Sequence, residues 1–170
     1  MGELNWKMRL VYLFLIGLII ASSGCDGTQT PIPPPPKQIV SCGPYGGGGG
    51  GSFSESFKIP PIGILIRSGD YVDSIQMIYS PGPGDRWGGS GGGSNPINLD
   101  PGEYIQGIGI RSGQYVDSIT IYTNLRTFGP YGGGGGGQRP VCGGSGWQVI
   151  GIFGRGGQYV DALGVILQQR

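Results

Sequence analysis

One seven-residue stretch occurs three times in this chain and constrains its fold more than any other feature. The sequence Arg-Ser-Gly-Asp-Tyr-Val-Asp fills residues 67–73, and close copies fill residues 111–117 and 155–161. Successive copies are 44 residues apart. A fixed period of this size is typical of a chain built from several copies of one supersecondary unit. The sequence therefore predicts three structural repeats.

A second feature keeps step with the first. At three places an aromatic residue opens a run of glycines, and these runs fall at equivalent points of the repeats. The runs are residues 46–51 after Tyr45, residues 88–93 after Trp87 (interrupted by Ser90), and residues 132–137 after Tyr131. Glycine permits positive φ and lets a backbone approach another group closely. Flexible filler would explain one such run, but three phased runs indicate a shared function.

Hydrophobic residues alternate with other residues on both sides of each repeated motif. Before the first motif stand Ile62, Ile64 and Ile66, and after it stand Ile75 and Met77. A period of two predicts half-buried strands, and no helical period occurs downstream of the amino terminus. Because one small unit cannot bury its apolar face alone, three units are expected to share a core. The domain is predicted to be all-β, either a β-trefoil or a β-prism, and the glycine runs favour the prism.

Composition excludes several classes of function. The net charge of +1 gives no electrostatic footprint for nucleic acid. The sequence contains no histidine, the commonest general base and metal ligand. Its three cysteines lack the paired close spacing of a zinc site. Neither an enzyme nor a metal- or cofactor-binding protein is indicated, and Glu55 and Glu103 do not form a convincing catalytic pair.

The amino terminus has the pattern of a targeting segment. Lys7 and Arg9 precede an apolar run at residues 10–21, which ends in small residues before Cys25. This is typical of a signal peptide, and the run is short for a membrane-spanning helix. Small residues leading into a cysteine resemble the lipobox of bacterial lipoproteins, although Ser22 stands where Leu, Val or Ile is usual. Acylation of Cys25 is therefore predicted, with simple secretion or an uncleaved anchor as alternatives.

The chain divides into three parts on this interpretation. Residues 1–24 are a lipoprotein-type signal peptide, and residues 25–38 are a tether whose proline tract favours a semi-rigid polyproline II spacer. A proline-rich docking ligand is the alternative for that tract. Residues 39–170 form the repeat domain, with repeats at about 43–84, 85–127 and 128–170. The predicted product is an exported protein held at a periplasmic or cell-surface membrane by a lipid on Cys25.

The last residue of each copy is an aspartate, namely Asp73, Asp117 or Asp161. A carboxylate can accept hydrogen bonds from two adjacent sugar hydroxyls, and charged acceptors form the stronger bonds. Turn N–H groups can donate to the same oxygens, and a tyrosine face can pack on a sugar ring. Alternatively, each aspartate bonds its own turn and each tyrosine packs in the fold. The linked repetition favours three shallow, metal-free monosaccharide sites.

Two further features of the repeats bear on the kind of ligand and on the fold. Phosphate is a rival ligand for glycine loops, but no Gly-Lys-Ser/Thr and no helix pattern follows any of them. Arg67, Arg111 and Arg155 share the period and are interpreted as ion-pair or strand-end residues.

These motifs resemble those of the jacalin-related lectins, and the resemblance covers roughly residues 39–170. It rests on the glycine loops, on the three Gly-x-Tyr-Val-Asp turns and on the stretch at 127–133. The family implies a β-prism I fold, with three four-stranded Greek-key sheets in pseudo-three-fold symmetry. It also implies sugar binding without a metal ion. Mannose or glucose is favoured over galactose, because the cleaved glycine terminus of galactose-specific relatives has no counterpart here.

The resemblance implies that each aspartate accepts hydrogen bonds from the 4- and 6-hydroxyls of the sugar. Amides of its own turn and one amide of the glycine loop in the following unit would donate. The implied binding residues are Gly69, Asp70, Tyr71 and Asp73 with Gly92; Gly113, Gln114, Tyr115 and Asp117 with Gly136; and Gly157, Gln158, Tyr159 and Asp161 with Gly50. The third set requires the two ends of the domain to meet.

Some features depart from the family or remain open. Gln114 and Gln158 replace an Asp or Ser, and each loop has an extra residue, which places the contacting glycine within about one position of Gly92, Gly136 or Gly50. Cys42 and Cys142 flank the first and third glycine runs and could pair in an oxidising compartment. A homodimer is a further expectation. The rival functions are a protein-interaction or adhesion module with vestigial sugar sites, and the carbohydrate-targeting part of an enzyme system.

Overall fold

A computed structural model describes residues 33–170 of the chain. The predicted signal peptide, the predicted acylation site at Cys25 and most of the predicted tether lie outside the described residues. Residues 33–170 contain strands, turns and loops but no α-helix. Accordingly, none of them forms the long apolar helix that crossing a membrane would need. The predicted all-β class is confirmed.

Thirteen strands are found within the described residues. They are β1 (Ile39–Gly46), β2 (Gly51–Ser56), β3 (Gly63–Ser68), β4 (Val72–Ile78), β5 (Pro83–Gly88), β6 (Gly93–Asn98), β7 (Ile105–Ser112), β8 (Val116–Thr123), β9 (Thr127–Gly132), β10 (Gly137–Gln138), β11 (Cys142–Gly143), β12 (Trp147–Gly156) and β13 (Val160–Gln169).

The strands form three antiparallel sheets of one repeating design. The first sheet has the order β5-β4-β3-β6, and the third has the order β1-β13-β12-β2. The second sheet has the order β10-β7-β8-β9. Both β10 and β11 pair with the same edge of β7, β10 at residues 111–112 and β11 at residues 107–108. In each sheet a central hairpin carries the repeated motif at its tip, and the two strands joined by a glycine loop lie at the opposite edges of the sheet. This is the predicted β-prism with Greek-key sheets.

Each sheet combines segments from two neighbouring sequence repeats. The strands β5 and β6, which the second glycine run joins, pair with β4 and β3 respectively, so they belong to the sheet of the preceding motif. The third sheet therefore takes β1 and β2 from the start of the domain and β12 and β13 from its end. The first strand is also longer than its apolar residues Ile39 and Val40 indicate, because pairing with β13 continues past a bulge to Gly46.

The core lies between the three sheets and is built from residues at equivalent positions of the repeats. Ile64, Ile108 and Ile152 have no exposed surface. The set Ile75, Ile119 and Leu163 is at most 1% exposed. Since side chains on a strand alternate between its two faces, the period-two pattern in the sequence directs these residues inward. Three small faces thus form one hydrophobic core.

Two local features tie the sheets and loops together. Cys42 of β1 and Cys142 of β11 are joined in a disulfide that spans 100 residues of sequence and links the third sheet to the second. In the loop before β7, the buried carboxylate of Glu103 lies 2.8 Å from the guanidinium of Arg126. Hydrogen bonding to Arg126 lowers the pKa of Glu103 to about 2, against the opposing effect of burial.

Candidate functional site

The three repeated motifs form three equivalent tight turns at one end of the prism. In the first turn the amide of Gly69 donates a hydrogen bond to the carbonyl of Tyr71 at 3.0 Å, and the other two turns repeat this bond. Gly69 and Asp70 are exposed at the tip. Asp73 follows as the second residue of β4 and is only 6% exposed. Each motif therefore presents backbone at its tip and a recessed carboxylate beside it.

A glycine loop forms a wall against each of these carboxylates. A Cβ atom built on Gly91 would overlap Oδ1 of Asp73, and one built on Gly92 would overlap Oδ2. Gly92 also has a φ of 63°, a conformation that side-chain-bearing residues rarely adopt. The loop backbone can lie beside the carboxylate only because these positions are glycine.

The same arrangement is found in the other two sheets. The carboxylate of Asp117 lies against Gly135 and Gly136, and that of Asp161 against Gly49 and Gly50. The structure thus brings together the residue sets that the family resemblance implied. In the third set, β13 carries the aspartate and the loop between β1 and β2 carries the glycines, so the ends of the domain do meet.

Each loop is held in place by two further contacts. The amide of Gly89 donates to the backbone carbonyl of Asp73 at 2.8 Å, with counterparts at Gly133 and Gly47. Arg67 donates to the carbonyls of Gly91 and Gly92, both at 2.7 Å. These bonds hold the loop beside the aspartate at two points, one at its start and one at its end.

The role of the repeated arginines differs from the prediction. Arg67, Arg111 and Arg155 stand near strand ends as expected, but the ion pairs found in residues 33–170 all involve Arg126. The repeated guanidiniums instead bind glycine-loop carbonyls in all three sheets. Backbone carbonyls attract them because the curled loop directs several acceptors to one point.

The three sites are packed against one another around the axis of the prism. Gly89 of the first loop lies against the backbone of Gln158 in the third turn, Gly133 against Asp70, and Gly47 against Gln114. These close backbone contacts leave no room for a side chain at the glycine positions. A change in one loop can therefore reach the neighbouring turn.

The tyrosines of the three turns meet at this axis. The ring centroids of Tyr71, Tyr115 and Tyr159 lie 5.2 to 5.3 Å from one another, with tilted or edge-on rings. Such geometry is favourable for aromatic pairs. Packing within the fold, the alternative reading of these residues, therefore accounts for their position at least in part.

The chemistry available at each site is that of a charged acceptor beside backbone donors. Oδ2 of Asp117 is buried and has no hydrogen-bond partner within the part of the chain that the structure describes. A buried acceptor without a partner is costly unless a ligand or water supplies a donor. No group of three potential metal-ligating side chains is found in residues 33–170. An unpaired carboxylate beside turn and loop amides is suited to a polyhydroxylated ligand.

Sequence reasoning identified one glycine per loop where the structure has two. Gly49, Gly91 and Gly135 contact the first carboxylate oxygen, and the glycines that follow them contact the second. The missed glycines share the phase of their runs, but a homogeneous run does not reveal which members face the aspartate. The arginine bonds could have been found from the common period, since a side chain repeated with the site is a candidate to support it.

Comparison with known proteins agrees with this architecture. A family model described as the Jacalin-like lectin domain matches residues 42–166. No curated protein sequence that was compared with the chain matches it. Among solved structures, the wild-type Malaysian banana lectin superposes with a TM-score of 0.72 and is 29% identical, covering 78% of this chain and 100% of its own.

Two other similar structures are of lectins described as mannose-binding or mannose-specific. A mannose-binding jacalin-related lectin from Ananas comosus has a TM-score of 0.71 and 31% identity, covering 78% of this chain and 99% of its own. A mannose-specific jacalin-related lectin from Morus nigra, solved in complex with mannose, has a TM-score of 0.69 and 26% identity, covering 77% and 95%. With three sheets of the same design and a family match across most of its length, this chain belongs to the jacalin-like lectin family.

Proposed function

We propose that this protein is a lectin with three mannose/glucose-type sites per chain, which bind without a metal ion. The observation that carries the proposal is the threefold recurrence of a buried aspartate walled by two glycines of a neighbouring loop. Mannose binding is named in the descriptions of structures similar to this chain, including those from Ananas comosus and Morus nigra. No catalytic role is proposed for any residue.

The aspartate is the central acceptor in each proposed site. Its two carboxylate oxygens would accept hydrogen bonds from two adjacent hydroxyls of one sugar ring, and such charge-assisted bonds are about twice as strong as neutral ones. Amides of the exposed turn, such as those of Asp70 and Tyr71, would donate to the same hydroxyl oxygens. The glycine loop would bring its backbone amides within reach because no side chain intervenes.

Three sites on one face favour branched glycans. A shallow site that holds one sugar residue binds weakly, but sites that engage several branches together can gain roughly 10² to 10⁴ in avidity. Contacts between loops and neighbouring turns keep the sites in a fixed relation. Mannose- or glucose-containing glycans with several termini are therefore the proposed partners.

The experiment is a calorimetric titration of the full chain, in a detergent without a sugar headgroup, with methyl α-mannoside. Weak binding with about three sites per chain is expected, unchanged by a chelator and absent with methyl α-galactoside. The variant with Asp73→Ala, Asp117→Ala and Asp161→Ala should lose the heat of binding while keeping its thermal unfolding transition. Equal binding by this triple variant would refute the assignment.

A matched pair of glycine variants tests one site at a time. In Gly135→Ala the new methyl group would overlap Oδ1 of Asp117, whereas the Cβ position of the adjacent Gly134 has no heavy atom within 4 Å. Gly135→Ala should reduce the number of sites from three to two, and Gly134→Ala should leave three. The same site number in both variants would contradict the proposed wall. If the native protein bound none of the sugars tested, the alternative function as a protein-interaction module would be favoured.

We also propose that the domain is exported and held at a membrane by a lipid on Cys25. The Cys42–Cys142 disulfide supports export, since such bonds persist mainly in oxidising compartments. Within the prism, β1 runs from Ile39 toward the glycine loop after Gly46, so the chain enters at the end opposite the sites. Incorporation of labelled palmitate by the native chain, but not by Cys25→Ser, is the expected result, and equal labelling of both would refute it.

A further inference from the structure

The outer face of the second sheet carries a cleft that the proposed sugar sites do not use. Its volume is about 190 Å³. It is lined by Gly109, Arg111 and Thr120 of β7 and β8, by Tyr122, and by Arg139 and Val141 of the segment between β10 and β11. These residues lie on the face opposite the core, because Ile108 and Ile110 on either side of Gly109 point inward and are buried.

The cleft exists because the second sheet departs from the repeat at outward positions. Gly109 stands 44 residues after Leu65 and 44 before Phe153, so the other two sheets carry a large apolar side chain where this sheet has none. Tyr122 replaces the isoleucines found at 78 and 166. A Cβ on Gly109 would lie 3.1 Å from the Tyr122 ring. The ring of Tyr122 therefore lies over Gly109, in the place of the missing side chain, and forms an aromatic wall of the cleft.

Two fixed positive charges border this space. Arg139 donates to the hydroxyl and the carbonyl of Ser112, both at 2.8 Å, and Arg111 donates to carbonyls of the glycine loop. Neither guanidinium has a carboxylate within 4.0 Å in the described residues, where both ion pairs belong to Arg126. In the first sheet the place of Arg139 is taken by Asn95, which carries no charge. Held guanidiniums without a counter-charge favour a carboxylate or a similar anion.

We propose that this cleft is a fourth saccharide subsite, which takes a sugar residue bearing a carboxylate, such as a hexuronate. Arg111 and Arg139 would bind the carboxylate with the N–H groups that their present bonds leave free. The face of Tyr122 would pack against the C–H side of the ring, and Thr120 would bond a hydroxyl. The choice of a sugar rests on the proposed lectin function, whereas the affinity for an anion rests on the cleft alone.

The test is a nuclear magnetic resonance titration of the full chain, in a detergent without a sugar headgroup, with sodium methyl β-glucuronide. The amides of Gly109, Thr120 and Tyr122 are expected to shift in a saturable way. The neutral analogue methyl β-glucoside should bind there at least tenfold more weakly, because it lacks the charge. The same shifts should persist when Asp73, Asp117 and Asp161 are all changed to Ala, so failure of the turn sites and failure of the cleft are distinguishable.

Three variants separate the contributions. Gly109→Leu restores the residue type of the first sheet and should abolish the shifts, because the new side chain and the Tyr122 ring that it displaces would fill the cleft. Arg139→Gln should weaken glucuronide binding at least tenfold without depending on how the filled cleft repacks. Arg86→Gln, which removes an exposed arginine of the first sheet, should change nothing. Equal weakening by Arg86→Gln and Arg139→Gln would mean general charge attraction and would overturn the proposal.

Further outcomes would also overturn it. Equal shifts with sodium sulfate at the same ionic strength would mean an adventitious ion only. Shifts confined to the turn amides, and lost in the triple aspartate variant, would assign the glucuronide to the turn sites. Binding of glucuronide and glucoside with the same affinity would remove the role of the two arginines.

Discussion

Reduction of the Cys42–Cys142 disulfide is expected to destabilise the domain strongly while leaving its native packing intact. The bond closes a loop of 100 residues and connects the third sheet to the second. Cys142 is fully buried in the core, where a free thiol behaves as a small hydrophobic group. Reduction therefore removes little native packing, and its main effect falls on the unfolded chain, which regains conformational freedom.

The magnitude follows from the length of the loop. On the chain-entropy model, cross-linking residues about 100 apart lowers the entropy of the unfolded chain enough to contribute about 4.7 kcal/mol at 25 °C, and losses of about 2 to 5 kcal/mol are typical for native disulfides. Urea unfolding of a small domain has a slope of roughly 2 kcal/mol per molar. The urea midpoint should therefore fall by roughly 1 to 2.5 M on reduction.

The assay compares urea unfolding of the oxidised chain with that of the same chain in a phosphine reductant. The variant Cys42→Ala/Cys142→Ala should reproduce the reduced midpoint and should not respond to reductant, which controls for effects at Cys25. A shift below about 0.5 M would refute the reasoning, since it would mean that the unfolded chain gains little freedom. Below the unfolding transition, the reduced protein should still bind methyl α-mannoside.

Three further predictions concern single side chains. Because Arg126 lowers the pKa of Glu103 to about 2, the ionised carboxylate stabilises the fold at pH values above its unfolded pKa of about 4.3, and this stability is lost as the pH falls toward 2. Over that range the urea midpoint should drop more steeply in the native chain than in Glu103→Gln, and parallel profiles would contradict the prediction. The buried hydroxyl of Tyr79 has no hydrogen-bond partner in the described residues. Tyr79→Phe should therefore leave the free energy of unfolding unchanged or raise it by about 1 kcal/mol. A decrease of similar size would contradict this, since it would mean that the hydroxyl forms a hydrogen bond in the native protein. Since Arg67 holds the loop of the first site through Gly91 and Gly92, Arg67→Gln should weaken mannoside binding at one site in three without changing the melting temperature, and three equal sites in a calorimetric titration would rule this out.

Much of the fold could be predicted because equivalent hydrophobic residues and turn motifs recur in all three repeats. Ile64, Ile108 and Ile152 recur at a fixed spacing within alternating segments, and all three are buried. What the repeat could not reveal was how each sheet is assembled. The period is the same wherever a unit is taken to begin, so the sequence did not indicate that the two strands joined by the second glycine run complete the sheet of the motif before it.

The site was predictable to the level of elements rather than atoms. The repeated aspartates and the glycine runs identified the parts, and the family resemblance identified which run accompanies which aspartate. The pairing of Gly91 with one carboxylate oxygen and Gly92 with the other depends on the path of the loop, which a run of identical residues does not encode. The mutual packing of Tyr71 with the other turn tyrosines depends on how closely the sheets approach at the axis.

The construction of the third sheet has a consequence for the order in which the domain assembles. Among residues 33–170 the first strand pairs only with β13, and Ile39 is matched with Gln168 near the end of the domain. Contacts between residues so distant in sequence are slow to form because the intervening chain must first be ordered. The first two sheets can form while synthesis continues, but β1 keeps unpaired edges until the last strand emerges. We therefore expect the nascent chain to be most prone to aggregation at β1, and the third proposed site to be the last to form.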